Sequence, residues 1–396
     1  MRVGRTVVLL GACSLLTDIS SEMVATILPV YLVYTLGYTP LQYGVIDGLY
    51  QGASAIMRLF SGFAGDRMRS HKWVAASGYA LSAICKPLMI LAGSALGLIG
   101  AVITADRAGK GIRTAPRDAM ISLSAPAGRL GTAFGVHRAM DSVGAMLGPL
   151  VAFGLLAAAP SDFNTIFLVS FLIALLGVGV ITLLVDEPNP KPAAPENAPE
   201  PKPDIRAAFA LLAKPQFRAL TLTASLLGVA TISDAFFYLL LRERIDFDPK
   251  VFPLLATGTA TAYMVLAIPA GRLADRFGRT RMFLMGYGLL LAAYLVLLDH
   301  TLTTTGVVVV LLLLGAYYAA SDGVLAALTS AHVPEELRGS GLAFVGTATS
   351  ATRLVASLVF GGLWTVWGID AAITAFAIVL VAAMGVAAWG LRAARV

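Results

Sequence analysis

Residues 271–281 read GRLADRFGRTR and repeat a pattern that the chain has already used at residues 62–72, GFAGDRMRSHK. Both stretches follow a long apolar segment, and in both a glycine precedes an Asp–Arg pair by four positions. The two copies are 209 residues apart in a chain of 396 residues. A charged loop that recurs after half of the chain indicates two related halves.

The composition places these halves in a membrane. Hydrophobic residues make up 58% of the chain and charged residues only 13%, whereas soluble domains carry about 25% charged residues. A spanning helix needs about 20 apolar residues. Twelve segments qualify: 7–36, 42–65, 73–93, 97–121, 131–158, 164–185, 217–243, 251–274, 282–299, 306–332, 341–366 and 370–391. The sequence predicts an all-α integral membrane protein with twelve transmembrane helices in two pseudo-symmetric six-helix bundles.

The distribution of lysine and arginine predicts the topology. Basic residues concentrate at both termini and in the even-numbered connections between segments. The odd-numbered connections are nearly free of them, apart from Arg242, Arg244 and Lys250, which are mixed with acidic residues. By the positive-inside rule both termini are cytoplasmic. The net charge of +6 is therefore explained by the topology of the chain in a lipid bilayer, and no nucleic-acid partner is expected.

A proline-rich stretch separates segments 6 and 7. Residues 186–204 read DEPNPKPAAPENAPEPKPD and contain seven prolines and no apolar residue larger than alanine. Such a stretch cannot form a core and is typical of an extended, solvated linker. We therefore expect an N-terminal bundle at residues 1–185, a cytoplasmic linker at 186–205 and a C-terminal bundle at 206–396.

Two further pairs repeat between the halves. Thr17–Asp18 matches Ser233–Asp234, and Ala105–Asp106 matches Ser321–Asp322, each at a distance of 216 residues. Together with the two loops, these repeats make the chain resemble the major facilitator superfamily over its whole length. The second loop fits the family's signature closely, whereas the first departs from it at Ala64 and Arg69. The resemblance implies a transporter in which two halves flank one site near the bilayer midplane.

The resemblance also gives the repeated loops a role as a latch between the halves. The residues concerned are Gly62, Asp66, Arg67, Gly271, Asp275 and Arg276. A carboxylate in such a loop favours the positive N-terminal end of a neighbouring helix. The alternative, that these are ordinary cytoplasmic charges, accounts for the arginines but leaves the repeated glycine and aspartate unexplained.

Four aspartates lie near the middle of predicted spans, where a charge costs about 2.5–3.5 kcal/mol and normally faces a partner or water. These are Asp18, Asp106, Asp234 and Asp322, on segments 1, 4, 7 and 10. In the family, these four helices line the central cavity. By resemblance, the four acids are expected to face one aqueous substrate site.

Basic residues are available at a similar depth for the same cavity: Arg107, Lys110, Arg138 and Arg353. Segment 4 carries six charges in residues 106–118, DRAGKGIRTAPRD, which predicts a wet helix face. For Arg113, Arg117 and Asp118 the alternative is that they snorkel to the cytoplasmic headgroups. Arg107 with Gly111 also resembles the family's Arg-x-x-x-Gly feature, although Arg113 stands where a further glycine is usual.

Asp18 and Glu22 are one helical turn apart, and Asp141 lies in segment 5. Two carboxylates this close in a low-dielectric setting repel each other, so one of them can hold a proton near neutral pH. These three acids are the predicted proton-coupling residues, with Asp18 favoured over Glu22. The alternative is that each acid only neutralises a nearby base. His137, next to Arg138, is interpreted as a packing residue.

Segment 5 contains Gly144, Gly148 and Pro149, which resemble the family's helix 5 motif of proton-exchanging exporters. Glycines of this kind let two membrane helices approach closely, and proline adds a bend. Among the aromatic residues, Tyr50, Phe237 and Tyr318 are predicted to line the substrate cavity. The remaining aromatic residues are expected to serve as packing or interface anchors.

Several chemical signatures are missing from the sequence. It contains no P-loop, dinucleotide fingerprint, zinc-type histidine pair or cysteine cluster. We therefore expect no enzyme activity, no metal site and no cofactor, with a proton gradient as the energy source. The two cysteines, Cys13 and Cys85, lie in apolar segments and are expected to be free thiols.

These observations predict a monomeric, proton-coupled exporter of a polar or amphiphilic small molecule in a bacterial cytoplasmic membrane. It would exchange solute for protons by alternating access. The alternative within transport is proton-coupled import of an organic or metallophore-like solute. A channel or receptor on the same scaffold is a second class, which the repeated latch loops disfavour.

Overall fold

The structure, a computed structural model, describes residues 4–67, 70–125, 129–187, 210–334 and 337–394, with backbone alone for 54–67 and 338–339. The described regions are helical and contain no strand. The N-terminal half consists of α1 (Arg5–Val30), α2 (Pro40–Arg67), α3 (His71–Leu91), α4 (Leu96–Ser124), α5 (Leu130–Ala158) and α6 (Phe163–Gly179). The C-terminal half consists of α7a (Pro215–Val229), α7b (Asp234–Arg244), α8 (Phe252–Phe277), α9 (Arg279–Leu297), α10 (Thr304–Ala331), α11 (Arg338–Trp367) and α12 (Ile369–Ala393).

The helix lengths confirm the predicted fold class. Within the described residues, ten helical segments are long and apolar enough to cross a membrane. The other two spans are α2, with 28 residues, and α4, with 29 residues, which carries the charged run at 106–118. Helices α7a and α7b count as one span, so twelve spans account for the described helices. Both α1 and α6 end in a turn of π-helix, at Tyr31–Thr35 and Val180–Leu184.

The seventh span is broken where the sequence predicts one continuous helix. The break covers residues 230–233, and Tyr294 of α9 satisfies the backbone groups that it frees. The Tyr294 hydroxyl donates to the Ala230 carbonyl at 2.8 Å and accepts from the Ile232 amide at 2.9 Å. Because unsatisfied backbone groups are expensive inside a bilayer, this side chain makes the break tolerable. Asp234 then stands in the first turn of α7b, where the helix dipole favours a negative charge.

The helices group into two compact units. The first comprises residues 1–31, 53–199 and 249–254, and the second comprises residues 32–52, 200–248 and 255–396. Within the first unit, α1 packs against α5 and α6, and α3 packs against α4. Within the second, α9 packs against α10, and α11 packs against α7a and α12. Residues 188–205 of the predicted linker lie outside the described residues, and the boundaries expected from the sequence stay a prediction.

Outside the spans, Asp162 caps the N-terminus of α6. Its carboxylate accepts a hydrogen bond from the Thr165 amide at 3.2 Å and another from the Thr165 hydroxyl. These hydrogen bonds hold the pKa of Asp162 below its ordinary value. The cap fixes the start of α6 directly after the turn that leaves α5.

Candidate functional site

Asp106 lies in a buried ion cluster between α3 and α4. Its Oδ1 atom accepts from Lys86 Nζ at 2.7 Å and from the Ser82 hydroxyl at 2.5 Å. Its Oδ2 atom accepts from Arg107 Nη2 at 2.5 Å. The three charged residues are all less than 10% exposed. Two cations therefore face one carboxylate in a dry environment, which holds Asp106 in its ionised form.

Close packing of α3 on α4 makes this cluster possible. A Cβ atom added to Gly78 would lie 2.7 Å from the Gly109 carbonyl oxygen, so the two backbones touch. Ser82 and Lys86 follow Gly78 at one-turn intervals on the same face of α3. Their side chains therefore reach Asp106 on α4.

Asp18 and Glu22 lie on α1 beside a looser set of cations. The nearest ion-pair partner of Asp18 is Arg113, whose Nη2 atom is 3.7 Å from Oδ1. Lys110 is in electrostatic range of both acids. Arg113 also stacks on the ring of Tyr79, with its guanidinium carbon 4.7 Å from the ring centre. The two acids thus share cations that are not in tight contact with either of them.

Helix α5 contributes a polar network that meets α1 and α4. Ser14 contacts His137 Nε2 at 3.0 Å and the Tyr79 hydroxyl at 3.2 Å, and it accepts from Arg117 at 3.4 Å. Asp141 lies 4.0 Å from His137 Nε2. The buried His137 is therefore part of a hydrogen-bond network rather than a purely apolar contact.

The remaining charged residues of α4 and α5 differ in exposure. The side chain of Arg138 is exposed. Arg117 pairs with Asp118 at 2.9 Å, and both lie on α4 toward its C-terminal end. Among the described residues, Asp141 thus has His137 as its nearest ion-pair partner and not Arg138.

The helix 5 glycines lie against the acidic turn of α1. A Cβ atom added to Gly144 would lie 2.5 Å from the Leu15 carbonyl oxygen and 3.2 Å from Asp18 Cβ. One added to Gly148 would lie 2.7 Å from Glu22 Cβ and 2.8 Å from the Ile19 carbonyl oxygen. Gly144, Gly148 and the buried Pro149 therefore set the position of the turn that carries both acids.

We expect Gly148→Ala to destabilise the protein by about 1–3 kcal/mol, because the added methyl group meets a backbone oxygen that cannot move freely. Gly154→Ala is the matched control on the same helix, since a Cβ atom there has no neighbour within 4 Å. Unfolding in mixed micelles with increasing SDS measures both changes. Equal stability of the two variants would contradict the packing role of Gly148.

The second unit has its own cluster, built on the broken helix. Asp234 Oδ1 accepts from the Tyr318 hydroxyl at 2.6 Å. Arg353 of α11 is in electrostatic range of Asp234, Asp322 and Tyr318. Asp322 itself is exposed. Tyr318, Arg353 and both acids are thus brought together inside one unit.

The predicted aromatic lining residues occupy different environments. Phe237 is fully buried and stacks on Tyr294 with ring centres 5.5 Å apart. Tyr318 packs against Tyr317 at 4.9 Å and presents its hydroxyl group to Asp234. Tyr50 is partly buried in α2. Of the three, Tyr318 has the contact that best suits a binding surface.

The repeated loops are described only in part. Gly62, Asp66 and Arg67 fall at the end of α2, where the side chains lie outside the described part of the chain. In the second copy, Arg279 pairs with the exposed Asp275 at 3.2 Å. Gly271 and Arg276 lie in the last turns of α8, and Arg276 stacks over Phe277. The latch role of these residues stays a prediction.

Two ionisable residues of the site are absent from the sequence-based prediction. Lys86 lies alone in an apolar segment, and Asp47 lies alone in the glycine-rich first half of α2. Neither residue has a counterpart in the other half of the chain, so the repeats do not point to it. A lone charge within a spanning helix is nevertheless a functional signal in its own right, and that signal could have found both residues.

Comparisons with known proteins identify the relatives of this fold. The family model described as Major Facilitator Superfamily matches residues 10–252 and 235–395. An uncharacterised MFS-type transporter of Methanocaldococcus jannaschii is 30% identical over 374 residues, which are 92% of this chain and 89% of the relative. An uncharacterised protein of Mycobacterium tuberculosis is 38% identical over 153 residues, 39% of this chain and 37% of the relative.

Solved structures share the fold at low sequence identity. The nucleoside transporter NupG superposes with a TM-score of 0.77 at 17% identity and covers 98% of both chains. A bacterial homologue of the human lysosomal transporter Spinster gives 0.75 at 15% identity, with 98% of this chain and 96% of that chain covered. A POT family transporter in complex with 5-aminolevulinic acid gives 0.76 at 12% identity, with 98% and 95% covered.

Proposed function

Because the chain belongs to the major facilitator superfamily, we propose that it exports a polar or amphiphilic small molecule in exchange for protons, by alternating access. The family makes the chain a multi-pass membrane transporter rather than an enzyme. Proton coupling, the direction of transport and the kind of solute are the parts that the proposal adds.

The observation that carries proton coupling is the difference between two carboxylates of the first unit. Asp106 has two cations at 2.5–2.7 Å and keeps its charge. Asp18 has one cation at 3.7 Å and a second carboxylate, Glu22, one turn away. A carboxylate with a loose partner and a like-charged neighbour is the one that can take up and release a proton. Asp18 is therefore the proposed coupling residue, with Glu22 and Asp141 as the acids that share its proton.

A change in the protonation of Asp18 alters the electrostatic attraction between α1 and α4. Ionised Asp18 holds Arg113 of α4, whereas protonated Asp18 frees that cation for another anion or for water. A proton or a solute shifts the balance between two conformations only through its different affinity for each of them. Binding of the proton and binding of the solute thus compete for the same set of charges, which is the requirement for exchange.

The chemistry of the clusters supports a polar solute. The proposed lining residues of the first unit are Arg107, Lys110 and Arg138, with Asp106 as the counter-ion of Arg107. Tyr50 of α2 is proposed to add an aromatic face. Those of the second unit are Asp234, Asp322, Arg353 and Tyr318, whereas the fully buried Phe237 packs behind them. A purely apolar solute would not need these charges. The structural neighbours include a nucleoside transporter and a transporter bound to 5-aminolevulinic acid. Nucleosides and 5-aminolevulinic acid are polar small molecules.

The direction of exchange is supported by the resemblance of Gly144, Gly148 and Pro149 to the helix 5 motif of proton-exchanging exporters. These residues also pack α5 against the acidic turn of α1. We propose that the protein works as a monomer in a bacterial cytoplasmic membrane, with both termini in the cytoplasm. The repeated loops at Gly62–Asp66–Arg67 and Gly271–Asp275–Arg276 would then lie on the cytoplasmic side as latches.

The test is solute uptake into proteoliposomes with an imposed pH gradient. The vesicles contain purified protein, and valinomycin with equal potassium on both sides clamps the membrane potential. Radiolabelled tetraphenylphosphonium, uridine and dialanine represent an amphiphilic cation, a nucleoside and a peptide. One pH unit drives up to about tenfold accumulation for one-to-one electroneutral exchange, because it is worth about 1.4 kcal/mol.

We expect at least one of these solutes to accumulate in vesicles with an acidic lumen, and none in protein-free liposomes. Accumulation in vesicles with an alkaline lumen would instead support proton-coupled import. If no solute responds to the pH gradient while one of them equilibrates through the protein, proton coupling is refuted.

A further inference from the structure

Residues 32–52 form a hairpin that consists of the π-helical turn after α1, a short connection and the first half of α2. The hairpin belongs to the second unit, although the chain on both sides of it belongs to the first. The arm in α1 changes from α to π geometry at Tyr31–Thr35, directly after Pro29. The arm in α2 leaves the second unit at Gly52. Single π-helical turns inside long helices are frequent at functional sites.

The hairpin is seated on α11 by close backbone contact. A Cβ atom added to Gly44 would lie 2.5 Å from the Ser357 carbonyl oxygen, and one added to Gly48 would lie 3.1 Å from that of Leu354. The Leu41 amide donates to the Thr365 hydroxyl at 2.9 Å. The contact runs along three turns of α2, and glycine is required wherever the two backbones meet.

The base of the hairpin is held by α7b. The Tyr34 hydroxyl donates to Glu243 Oε1 at 2.6 Å, and the Arg242 guanidinium lies 4.4 Å from the Tyr34 ring centre. Tyr43 packs edge-on against Phe236 at 4.9 Å. These are side-chain contacts that can form and break without disturbing either helix.

The contact surface between the hairpin and α11 is called the seat. Asp47 lies in the middle of it and is 6% exposed. The Ser357 hydroxyl donates to Asp47 Oδ2 at 2.5 Å. In the described part of the chain, no ion pair within 4.0 Å includes Asp47. This contact surface therefore covers a carboxyl group whose partners are the neutral side chains of Ser357, Ser233 and Gln51, and which has no contacting cation among the described residues.

The groups that face Asp47 come from three helices. Arg353 and Ser357 come from α11, Ser233 and Asp234 from the N-cap and first residue of α7b, and Tyr43 and Gln51 from its own helix. Arg353 is the one cation in this set, and its strongest electrostatic partners are elsewhere, at Tyr317, Tyr318 and Asp322. Asp234 adds a second carboxylate nearby. An ionised Asp47 would thus be buried beside a like charge with its cation engaged by other groups, which is unfavourable.

We propose that Asp47 is a second proton-binding residue and that its proton holds the hairpin of residues 32–52 on α11. With the proton bound, the neutral carboxyl group fits the seat. When the proton leaves, the carboxylate requires water and the hairpin parts from α11. This inference rests on the proposed function, because it gives the exchanged proton a place in opening one end of the transporter.

The proposal predicts a steep dependence of the hairpin on pH. The proton binds the seated state and not the released state, so the ratio of seated to released hairpin falls about tenfold for each pH unit across the titration. Spin labels at Thr35→Cys and Val366→Cys report this ratio through their distance distribution, since both positions are exposed. The native Cys13 and Cys85 are replaced by alanine. The measurement is made in nanodiscs between pH 5 and pH 9, with protons as the only added ligand.

We expect the short distance at pH 5 to give way to a longer one as the pH rises. Asp47→Asn keeps a neutral side chain of the same shape and should show the short distance at every pH. Asp299→Asn removes an exposed carboxylate of the same labelled protein and should titrate as wild type does. A third variant, Asp47→Glu, retains an ionisable group and should restore the pH dependence.

Two outcomes overturn the proposal: a hairpin that stays seated at every pH in the wild type, or Asp47→Asn with the wild-type titration. Neither outcome depends on the solute assay. Should the hairpin titrate through Asp47 while no solute responds to a pH gradient, the proposed exchange fails and the Asp47 assignment stands. If a pH gradient drives solute flux while the distance between the two labels does not change with pH, the Asp47 assignment is refuted and the proposed exchange stands.

Discussion

Asp18→Asn is expected to abolish the tenfold accumulation that one pH unit drives in the wild type, leaving a concentration ratio near one. The amide keeps the volume of the side chain but can neither bind nor release a proton. Solute still equilibrates through the protein, because alternation between conformations does not require that proton. The measurement is steady-state uptake of the solute found in the proteoliposome assay, with and without the gradient.

The control for this variant is Asp162→Asn. Asp162 caps α6 outside the spans, and its side-chain hydrogen bonds in the described part of the chain come from Thr165 of the same helix. Its substitution should leave the accumulation unchanged. Glu22→Gln tests the neighbour, and we expect it to shift the pH optimum of flux because it removes the charge that competes for the proton of Asp18. If both Asp18→Asn and Glu22→Gln accumulate solute as the wild type does, the coupling assignment is wrong.

Asp106→Asn should be the most destabilising single change in the first unit, with a loss of about 3–5 kcal/mol, because it leaves buried cations without their counter-ion. Lys86 and Arg107 would then face each other across a neutral amide. The free thiols Cys13 and Cys85 are buried and become reactive when the unit opens. Labelling with a thiol dye during SDS titration therefore reports the unfolding.

Lys86→Met is the informative comparison for this cluster. It removes one cation and leaves Asp106 paired with Arg107, so the remaining charges balance. Methionine also fills the volume of the lysine stem with apolar atoms, which suits the buried position. We expect a clearly smaller loss of stability than for Asp106→Asn. A loss equal to that of Asp106→Asn would show that the cluster is stabilised by the lysine contact and not by charge balance.

The two clusters differ in their balance of cations and carboxylates. In the first unit, Asp18 has one cation within 4.0 Å and Asp106 has two in direct contact. In the second unit, Asp47, Asp234 and Asp322 share the single Arg353. The loosely paired Asp18 of the first unit and the excess of carboxylates over cations in this cluster of the second are each a reason to look for proton binding, so both units are candidates.

Sequence by itself determined the twelve-helix membrane fold, since a run of about 20 apolar residues is a local property that selects a spanning helix wherever it occurs. The repeated loops and Asp pairs likewise fixed the family, because their spacing is read along the chain.

Only the tertiary structure decided which charges meet. Lys86 reaches Asp106 because α3 and α4 cross in close contact at Gly78 and Gly109. A hydropathy profile gives neither the crossing angle of two helices nor the rotation of each about its axis. The contact of Gly44 with α11 buried Asp47 in the same way, 310 residues from Ser357. Pairing depends on the distance between side chains of different helices, and that distance is set by packing.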